Sequence, residues 1–182
     1  MEIVDLYTVD RQLTGETMIR GERTPPNRYR LVVHVCIFNR EGQLLIQQRQ
    51  SFKHGWPNLW DVSIGGAAAT GDTSREAAER EVLEELGLHL DLQSVRPALT
   101  IPFSGGFDDF YVVTRDFDLA QVHMQKEEVQ AVRWASEEEV YAMMSEGTFI
   151  PYHKPVMALL FYYRNHYGTV SRPDITAMRQ NS

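Results

Sequence analysis

The pattern of apolar and polar positions predicts several strands. Residues 30–39 (RLVVHVCIFN) are almost continuously apolar and rich in β-branched side chains, which predicts a strand buried on both faces. A turn at 39–42 followed by residues 43–49 (QLLIQQR) predicts the returning strand of a hairpin. Further strands are predicted at 3–9, 61–64, 92–101, 109–116 and 130–135. Turns are predicted at 10–15 and at Gly65-Gly66, and loops at 20–28 and 50–60.

Helix boundaries are marked by capping residues. Thr73 with Glu76 forms a capping box at the start of one helix, and Gly87 ends it. Ser136 with Glu139 begins a second helix in the same way. The predicted helices span 74–86, 136 to about 146, and 153–166. Because strands and helices mix without strict βαβ alternation, the predicted fold class is α/β or α+β, with a mixed sheet between helices.

Length and charge narrow the class of protein. The 182 residues predict one domain over 1–170, followed by a polar tail at 171–182. The net charge of -7 argues against binding to nucleic acid, which requires a basic surface. It does not argue against a phosphorylated small molecule, because a bound divalent cation can carry the positive charge.

Compartment and membrane association can also be predicted. The first residues lack the apolar run of a signal peptide, and no stretch is long and apolar enough to span a membrane. Cys36 is the single cysteine, so no disulfide can form within the chain. These features predict a cytoplasmic protein without a membrane partner.

Three acidic side chains share one face of the predicted helix 74–86. At about 100° per residue, Glu81, Glu84 and Glu85 fall within an arc of about 100°. Carboxylates placed so closely repel one another, and oxygen-rich clusters suit Mg²⁺ or Mn²⁺. An isolated E-x-x-E-E segment is more commonly a solvated helix face, so this spacing alone does not decide between the two interpretations.

The wider segment 66–88 resembles the Nudix hydrolase signature G-x5-E-x7-R-E-U-x-E-E-x-G-U, where U is a bulky apolar residue. Eight of the nine fixed positions match, and they are Gly66, Arg80, Glu81, Val82, Glu84, Glu85, Gly87 and Leu88. Asp72 replaces the first glutamate, which keeps the charge and shortens the side chain by one methylene. The chain is therefore identified as a member of the Nudix family.

The resemblance implies a fold, a metal site and a reaction. The fold is an α/β/α sandwich, and Glu81, Glu84 and Glu85 bind the divalent metal with help from the backbone carbonyl of Gly66. Arg80 orients the glutamates, and Glu81 is the first choice for general base or bridging ligand. The reaction is the hydrolysis of a diphosphate bond in a nucleoside diphosphate linked to another moiety, which is a pyrophosphatase activity dependent on magnesium or manganese.

Acids outside the signature are further candidates for the site. Glu127 and Glu128 precede the predicted strand 130–135, where they either assist the metal site or form a charged turn. Asp109 falls near an acidic position of a related branch of the family, so it is a candidate further ligand.

That branch contains isopentenyl-diphosphate isomerase, and the resemblance to it is expected over roughly residues 1–165. Two positions that bind the substrate diphosphate in the isomerase correspond to Arg49 and Lys53 here. The catalytic cysteine of the isomerase is replaced by Gly65, and Arg30 stands where a histidine metal ligand is expected. The isomerase chemistry therefore lacks key groups in this chain.

Four other side chains are assigned structural roles. Cys36 and His34 lie in the predicted buried strand and are interpreted as core residues. Trp56 and Trp60 are expected to shape the loop and the core.

Taken together, the sequence favours a metal-dependent Nudix hydrolase acting on a phosphorylated small molecule. Two alternatives stay open, an isomerase-like enzyme and a non-catalytic module that binds a nucleotide. Substrate specificity is expected to lie in the loops 20–28, 50–58 and 102–108, which a single sequence does not decode. The oligomeric state is open, and a homodimer is a common state for domains of this size.

Overall fold

The computed structural model describes residues 2–170 of the chain, so the predicted tail 171–182 lies outside the described residues. The strands of the described part are β1 (Ile3–Tyr7), β2 (Leu13–Ile19), β3 (Arg30–Phe38), β4 (Leu44–Arg49), β5 (Trp60–Asp61), β6 (Ile64–Ala67), β7 (Leu99–Phe103), β8 (Gly106–Thr114) and β9 (Val129–Ala135). The helices are α1 (Ser74–Leu86), α2 (Glu137–Glu146) and α3 (Lys154–Tyr163).

The main sheet is mixed, as the sequence predicts, and β3 lies at its centre. β3 pairs in parallel with β8 along its whole length and antiparallel with β6 on its other edge. The predicted hairpin of β3 and β4 is paired only at Phe38 and Leu44. Beyond that point β4 pairs with β9 and β5. The two halves of the sheet therefore separate, and β6 and β5 line the gap between them.

Helices cover both faces of this sheet. Val33, Val35 and Ile37 of β3 pack in one apolar cluster with Val82 and Leu86 of α1. The alternate residues Cys36 and Phe38 pack in a second cluster with α2 and α3. The period-two alternation of a strand thus sends neighbouring residues to opposite layers. The α+β sandwich with a mixed sheet is confirmed.

Helix α1 begins and ends where its capping residues predict. The Thr73 hydroxyl accepts a hydrogen bond from the backbone N–H of Glu76, and the Glu76 carboxylate accepts one from the backbone N–H of Thr73. Gly87 ends the helix with a φ of 67°. These caps satisfy backbone groups that a helix terminus otherwise leaves unpaired.

The N-terminal hairpin was only half predicted. The polar turn expected at 10–15 is wrong in its second half, because β2 begins at Leu13 and pairs antiparallel with β1. Within β2 only Met18 is buried, so the strand carries little apolar signal. Met18 packs with Val4 and Leu6 of β1 in a small cluster of its own.

Two further strand boundaries differ from the prediction. Gly65 and Gly66 form no turn, because β6 continues through both glycines and pairs them with His34 and Val33. The strand expected at 92–101 begins only at Leu99. Leu92 is buried in the core from an irregular segment, so its apolar character reflects packing and not a strand.

Within residues 2–170, the helices are all too short or too polar to cross a membrane.

Candidate active site

The acidic face of α1 is partly buried. Glu81 and Glu85 are each only 6% exposed, whereas Glu84 lies at the surface. Glu81 and Glu85 lie one helical turn apart beside the apolar face that packs on the sheet, and Ala77 and Ala78 on that face are fully buried. The predicted face therefore contains two buried carboxylates and one exposed carboxylate.

These side chains open onto a cavity of about 130 Å³, which we call the carboxylate cavity. It is lined by Glu2, Arg20, Arg80, Glu81, Glu84, Glu85, Gln125 and Glu128. The five carboxylates of this lining outnumber its two guanidinium groups. Because carboxylate oxygens repel one another at short range, such a cavity favours a bound cation.

Glu81 lies directly against the backbone of Gly66. A Cβ atom at position 66 would come within 2.2 Å of the Glu81 carboxyl carbon, so any side chain there would displace the carboxylate. Glycine is therefore required at this position for steric reasons and not for a turn.

Arg80 connects the glutamates to Asp72. Its Nη1 donates hydrogen bonds to Glu81 at 3.0 Å and to Glu84 at 3.1 Å. Its Nε and Nη2 donate to Asp72 at 3.0 and 2.9 Å, and Nη2 also reaches the carbonyl of Ala67. The shorter aspartate at position 72 thus still contacts the arginine.

The buried carboxylates have perturbed protonation equilibria. Burial, and after it the charge of Glu81, raises the pKa of Glu85 to about 8, although a hydrogen bond from Gln47 opposes this shift. Burial also raises the pKa of Glu81, against the lowering effect of Arg80. Neighbouring cations therefore do not compensate fully for the burial of these two groups.

The donor set of this cavity fits a hard divalent cation. Its oxygens are carboxylates, and two of them are buried without full compensation by cations. Within the part of the chain that the structure describes, no three His, Cys, Asp or Glu side chains already converge on one point as a metal site. The hydrogen bonds from Arg80 engage Glu81 and Glu84 in this arrangement.

A second, more open cavity adjoins the first, and we call it the groove. Its volume is about 330 Å³, and Arg20 lines both cavities. The groove is lined by Arg20, Arg30, Val32, His34, Arg49, Trp56, Asp61, Gly65, Gly66, Ala67, Phe103, Asp108, Ile150 and Tyr152. All three loops expected to set specificity contribute to this lining, through Arg20, Trp56 and the pair Phe103 and Asp108.

The chain matches the model of the NUDIX domain over residues 28–160. An uncharacterized Nudix hydrolase of Listeria monocytogenes is 52% identical over 152 residues, which cover 84% of this chain and 90% of that protein. This protein belongs to the Nudix hydrolase family. Nudix hydrolases cleave pyrophosphate bonds, and dependence on a divalent metal is typical of them.

Solved structures agree with this assignment. A Deinococcus radiodurans protein superposes with a TM-score of 0.69 and 25% identity, covering 91% of this chain and all of that one. The isopentenyl-diphosphate isomerase of Klebsiella pneumoniae is 38% identical over 63 residues, which is 34% of each chain. The likeness to the isomerase is thus confined to a stretch much shorter than residues 1–165.

The other site residues predicted for this Nudix chain are only partly brought together. Arg49 lines the groove, where its Nη1 lies 3.6 Å from Asp61. Lys53 forms an ion pair with Glu128, which lines the carboxylate cavity. Glu127 is exposed and lies outside the lining of both cavities.

Asp109 is not brought to the Nudix site. Its carboxylate accepts hydrogen bonds from Arg11 at 2.7 and 3.0 Å, from Thr100 at 2.6 Å and from Ser74 at 2.7 Å. Burial opposes these bonds, but together they hold the pKa of Asp109 below its usual value. We therefore leave Asp109 out of the ligand set and assign it a structural role. Its neighbour Asp108 faces the groove instead.

His34 is less enclosed than a core residue. Its ring stacks on Phe110 at 4.4 Å, its Nε2 lies 3.3 Å from Asp108, and it lines the groove. Its Nδ1 is buried without a hydrogen-bond partner, facing Gly65. Trp56 is half exposed, whereas Trp60 packs against the second core cluster.

The N-terminal hairpin contributes two side chains to the carboxylate cavity that the sequence did not predict. Glu2 and Arg20, which flank β1 and β2, form an ion pair at 2.6 Å and both line the carboxylate cavity. Recognition of strand β2 in the sequence would have placed Arg20 at the end of a hairpin beside Glu2, but this strand has little apolar patterning. A further cavity of about 710 Å³ lies between residues 23–29 and the turn at 104–105, and its lining contains no carboxylate.

Proposed function

We propose that the carboxylate cavity and the groove form one active site. It hydrolyses a diphosphate linkage in a nucleoside diphosphate derivative or a related organic pyrophosphate and depends on a divalent metal. The observation that carries the proposal is the position of Glu81, buried against Gly66 at the junction of the two cavities. Membership of the Nudix hydrolase family supports the class of reaction.

The metal-holding groups in this proposal are Glu81, Glu84, Glu85 and the backbone carbonyl of Gly66. When bound there, Mg²⁺ or Mn²⁺ supplies charge neutralisation for the phosphate oxygens and lowers the pKa of a water molecule. Arg80 keeps Glu81 and Glu84 oriented through its two hydrogen bonds from Nη1.

The remaining roles follow from charge and position. Glu81, a buried carboxylate with a raised pKa, is the proposed base that accepts a proton from the attacking water. Glu128 is the proposed additional acid, because it lines the same cavity. Arg49 and Lys53 are the proposed cations for the substrate diphosphate, with Lys53 exchanging its ion pair to Glu128 for the phosphate.

The isomerase alternative has less support. Position 65 is a glycine, and Cys36, the only thiol, is fully buried in the second core cluster, where burial raises its pKa. A thiol in that position does not reach the groove. The non-catalytic alternative is disfavoured because all three signature glutamates are retained beside one cavity.

The proposed setting is a cytoplasmic enzyme acting on a small phosphorylated molecule and not on nucleic acid. The negative net charge and the single cysteine support this setting. A homodimer is the proposed assembly on the ground that dimers are common for domains of this size.

The decisive test is metal-dependent phosphate or nucleoside monophosphate release from nucleotide sugars, dinucleotides, coenzyme A and nucleoside triphosphates. We expect Glu81→Gln and Glu85→Gln each to lower kcat by about 100-fold or more while the fold is retained. Glu138→Gln is the matched control. Glu138 is exposed on α2, so this substitution removes the same charge outside the active site. Full activity in both active-site variants would show that the site is misassigned.

A further inference from the structure

Arg30 is a half-buried cation without an ion-pair partner among residues 2–170. Its guanidinium lies over the ring of Phe103, 5.3 Å from the centroid, and faces the groove. Burial, and after it the positive charge of Arg20, lowers the pKa of Arg30. Arg20 thus lies near Arg30, which has no ion-pair partner among residues 2–170.

The acids of the groove are already engaged elsewhere. Asp61 accepts a hydrogen bond from the Tyr152 hydroxyl at 2.7 Å and has Arg49 as its ion-pair partner. The negative charge of Asp108 opposes the lowering of the Arg30 pKa, and the Asp108 carboxylate lies 3.3 Å from Nε2 of His34. Among residues 2–170, Arg30 therefore forms no ion pair, and Asp108 compensates its charge only in part.

Arg20 extends this positive region to the carboxylate cavity, since it lines both cavities. Its ion pair with Glu2 leaves the side chain about 42% exposed and accessible to a ligand. Two neighbouring guanidinium groups repel each other, and a shared dianion removes that repulsion. A phosphate monoester carries about two negative charges near pH 7 and accepts forked hydrogen bonds from arginine, whereas an internal phosphate carries one.

We propose that Arg30 and Arg20 together bind an unsubstituted terminal phosphate, so that the groove selects diphosphates or triphosphates with one free end. Diphosphates substituted at both ends, such as nucleotide sugars, lack the second charge and bind less well. This inference names the substrate class of the proposed hydrolase, and it rests on that proposed function for the reaction. The expected binding preference depends only on the two arginines.

The test compares two ligands that share a nucleoside diphosphate and differ only at its free end. Isothermal titration with ADP and with ADP-ribose in EDTA measures binding without turnover. We expect the wild-type protein to bind ADP at least about tenfold more tightly than ADP-ribose. Arg30→Gln should reduce this preference to less than about threefold, and Arg30→Lys should retain an intermediate part of it.

Arg96→Gln is the matched control, because Arg96 is exposed and lines neither cavity. Circular dichroism and the unfolding temperature establish that each variant is folded. Equal binding of the two ligands by the wild-type protein, no binding of either, or an unchanged preference in folded Arg30→Gln would overturn the inference. If the preference follows Arg30 while no substrate is hydrolysed, the proposed function fails and the terminal-phosphate site stands.

Discussion

Gly66 and Glu81 show how the absence of a single Cβ atom determines the geometry of the candidate active site. They lie 15 positions apart in the sequence, and the resemblance to the Nudix signature predicted a role for both. The reason for the glycine could not be predicted, because the contact arises only when α1 is packed on β6. The turn predicted at Gly65-Gly66 is a regular strand, which lacks a side chain at the point where the Glu81 carboxylate lies.

We expect Gly66→Ala to abolish most of the metal-dependent activity. The added methyl group would lie 2.2 Å from the Glu81 carboxyl carbon and force that carboxylate to move. A displacement of about 1 Å in an active site costs about 100-fold in rate, so kcat should fall by about that factor.

Steady-state kinetics and thermal unfolding check this prediction. For thermal unfolding, Gly55→Ala serves as the control, because a Cβ at position 55 has no atom within 4 Å. Wild-type kcat in a folded Gly66→Ala variant would contradict the steric role of the glycine.

At the scale of elements, Asp109 joins four segments of the chain. Its carboxylate on β8 is bound by Ser74 at the start of α1, by Thr100 on β7 and by Arg11 in the turn between β1 and β2. Arg11 is 98 residues away in the sequence, so no local pattern could predict this partner. The acidic position expected to bind metal thus fastens the N-terminal hairpin to the sheet.

Asp109→Asn should destabilise the protein by about 2 kcal/mol at pH 7, because charged hydrogen bonds are lost and Arg11 loses its counterion. The folded pKa of Asp109 lies below the usual value of 3.8. Its contribution is therefore present above that value and is lost as the pH falls through the folded pKa.

Urea unfolding between pH 7 and pH 3 should show the two proteins converging toward acid pH. Asp116→Asn is the comparison for a surface ion pair, because Asp116 pairs with the exposed Arg40. It is expected to cost at most about 1 kcal/mol. A constant difference between Asp109→Asn and the wild type across this range would contradict the pKa argument.

Across the whole protein, the buried carboxylates make the free energy of unfolding depend on pH. The folded pKa of Glu85 is about 8, above the usual carboxyl value of 4.5. A raised carboxyl pKa means that the neutral form is favoured in the folded state. Stability from this group is then fully present below about pH 4.5 and is lost as the pH rises toward 8.

We therefore expect Glu85→Gln to be more stable than the wild type at pH 8 in EDTA, by about 2 kcal/mol, and nearly equal at pH 5. Thermal or urea unfolding at the two pH values measures this difference. Glu138→Gln should follow the wild type throughout, since Glu138 is exposed. Equal stabilities of Glu85→Gln and the wild type at pH 8 would contradict the burial argument.

Elements with local signals follow from the amino-acid sequence alone. Helix α1, its capping box, its terminal glycine and the buried strand β3 could all be predicted, because helix and strand periodicity and end-capping act within a few residues. The same local spacing placed the three signature glutamates on one face of the helix.

The burial of these groups and their surroundings follow from the packing of distant segments, which no local pattern reveals. Tertiary packing separates buried Glu81 and Glu85 from exposed Glu84 and brings Arg20 to the carboxylate cavity through strand β2. It places Arg30 in the adjoining groove without an ion pair among residues 2–170. These properties depend on contacts between distant segments, and burial and charge compensation exist only after those segments pack together.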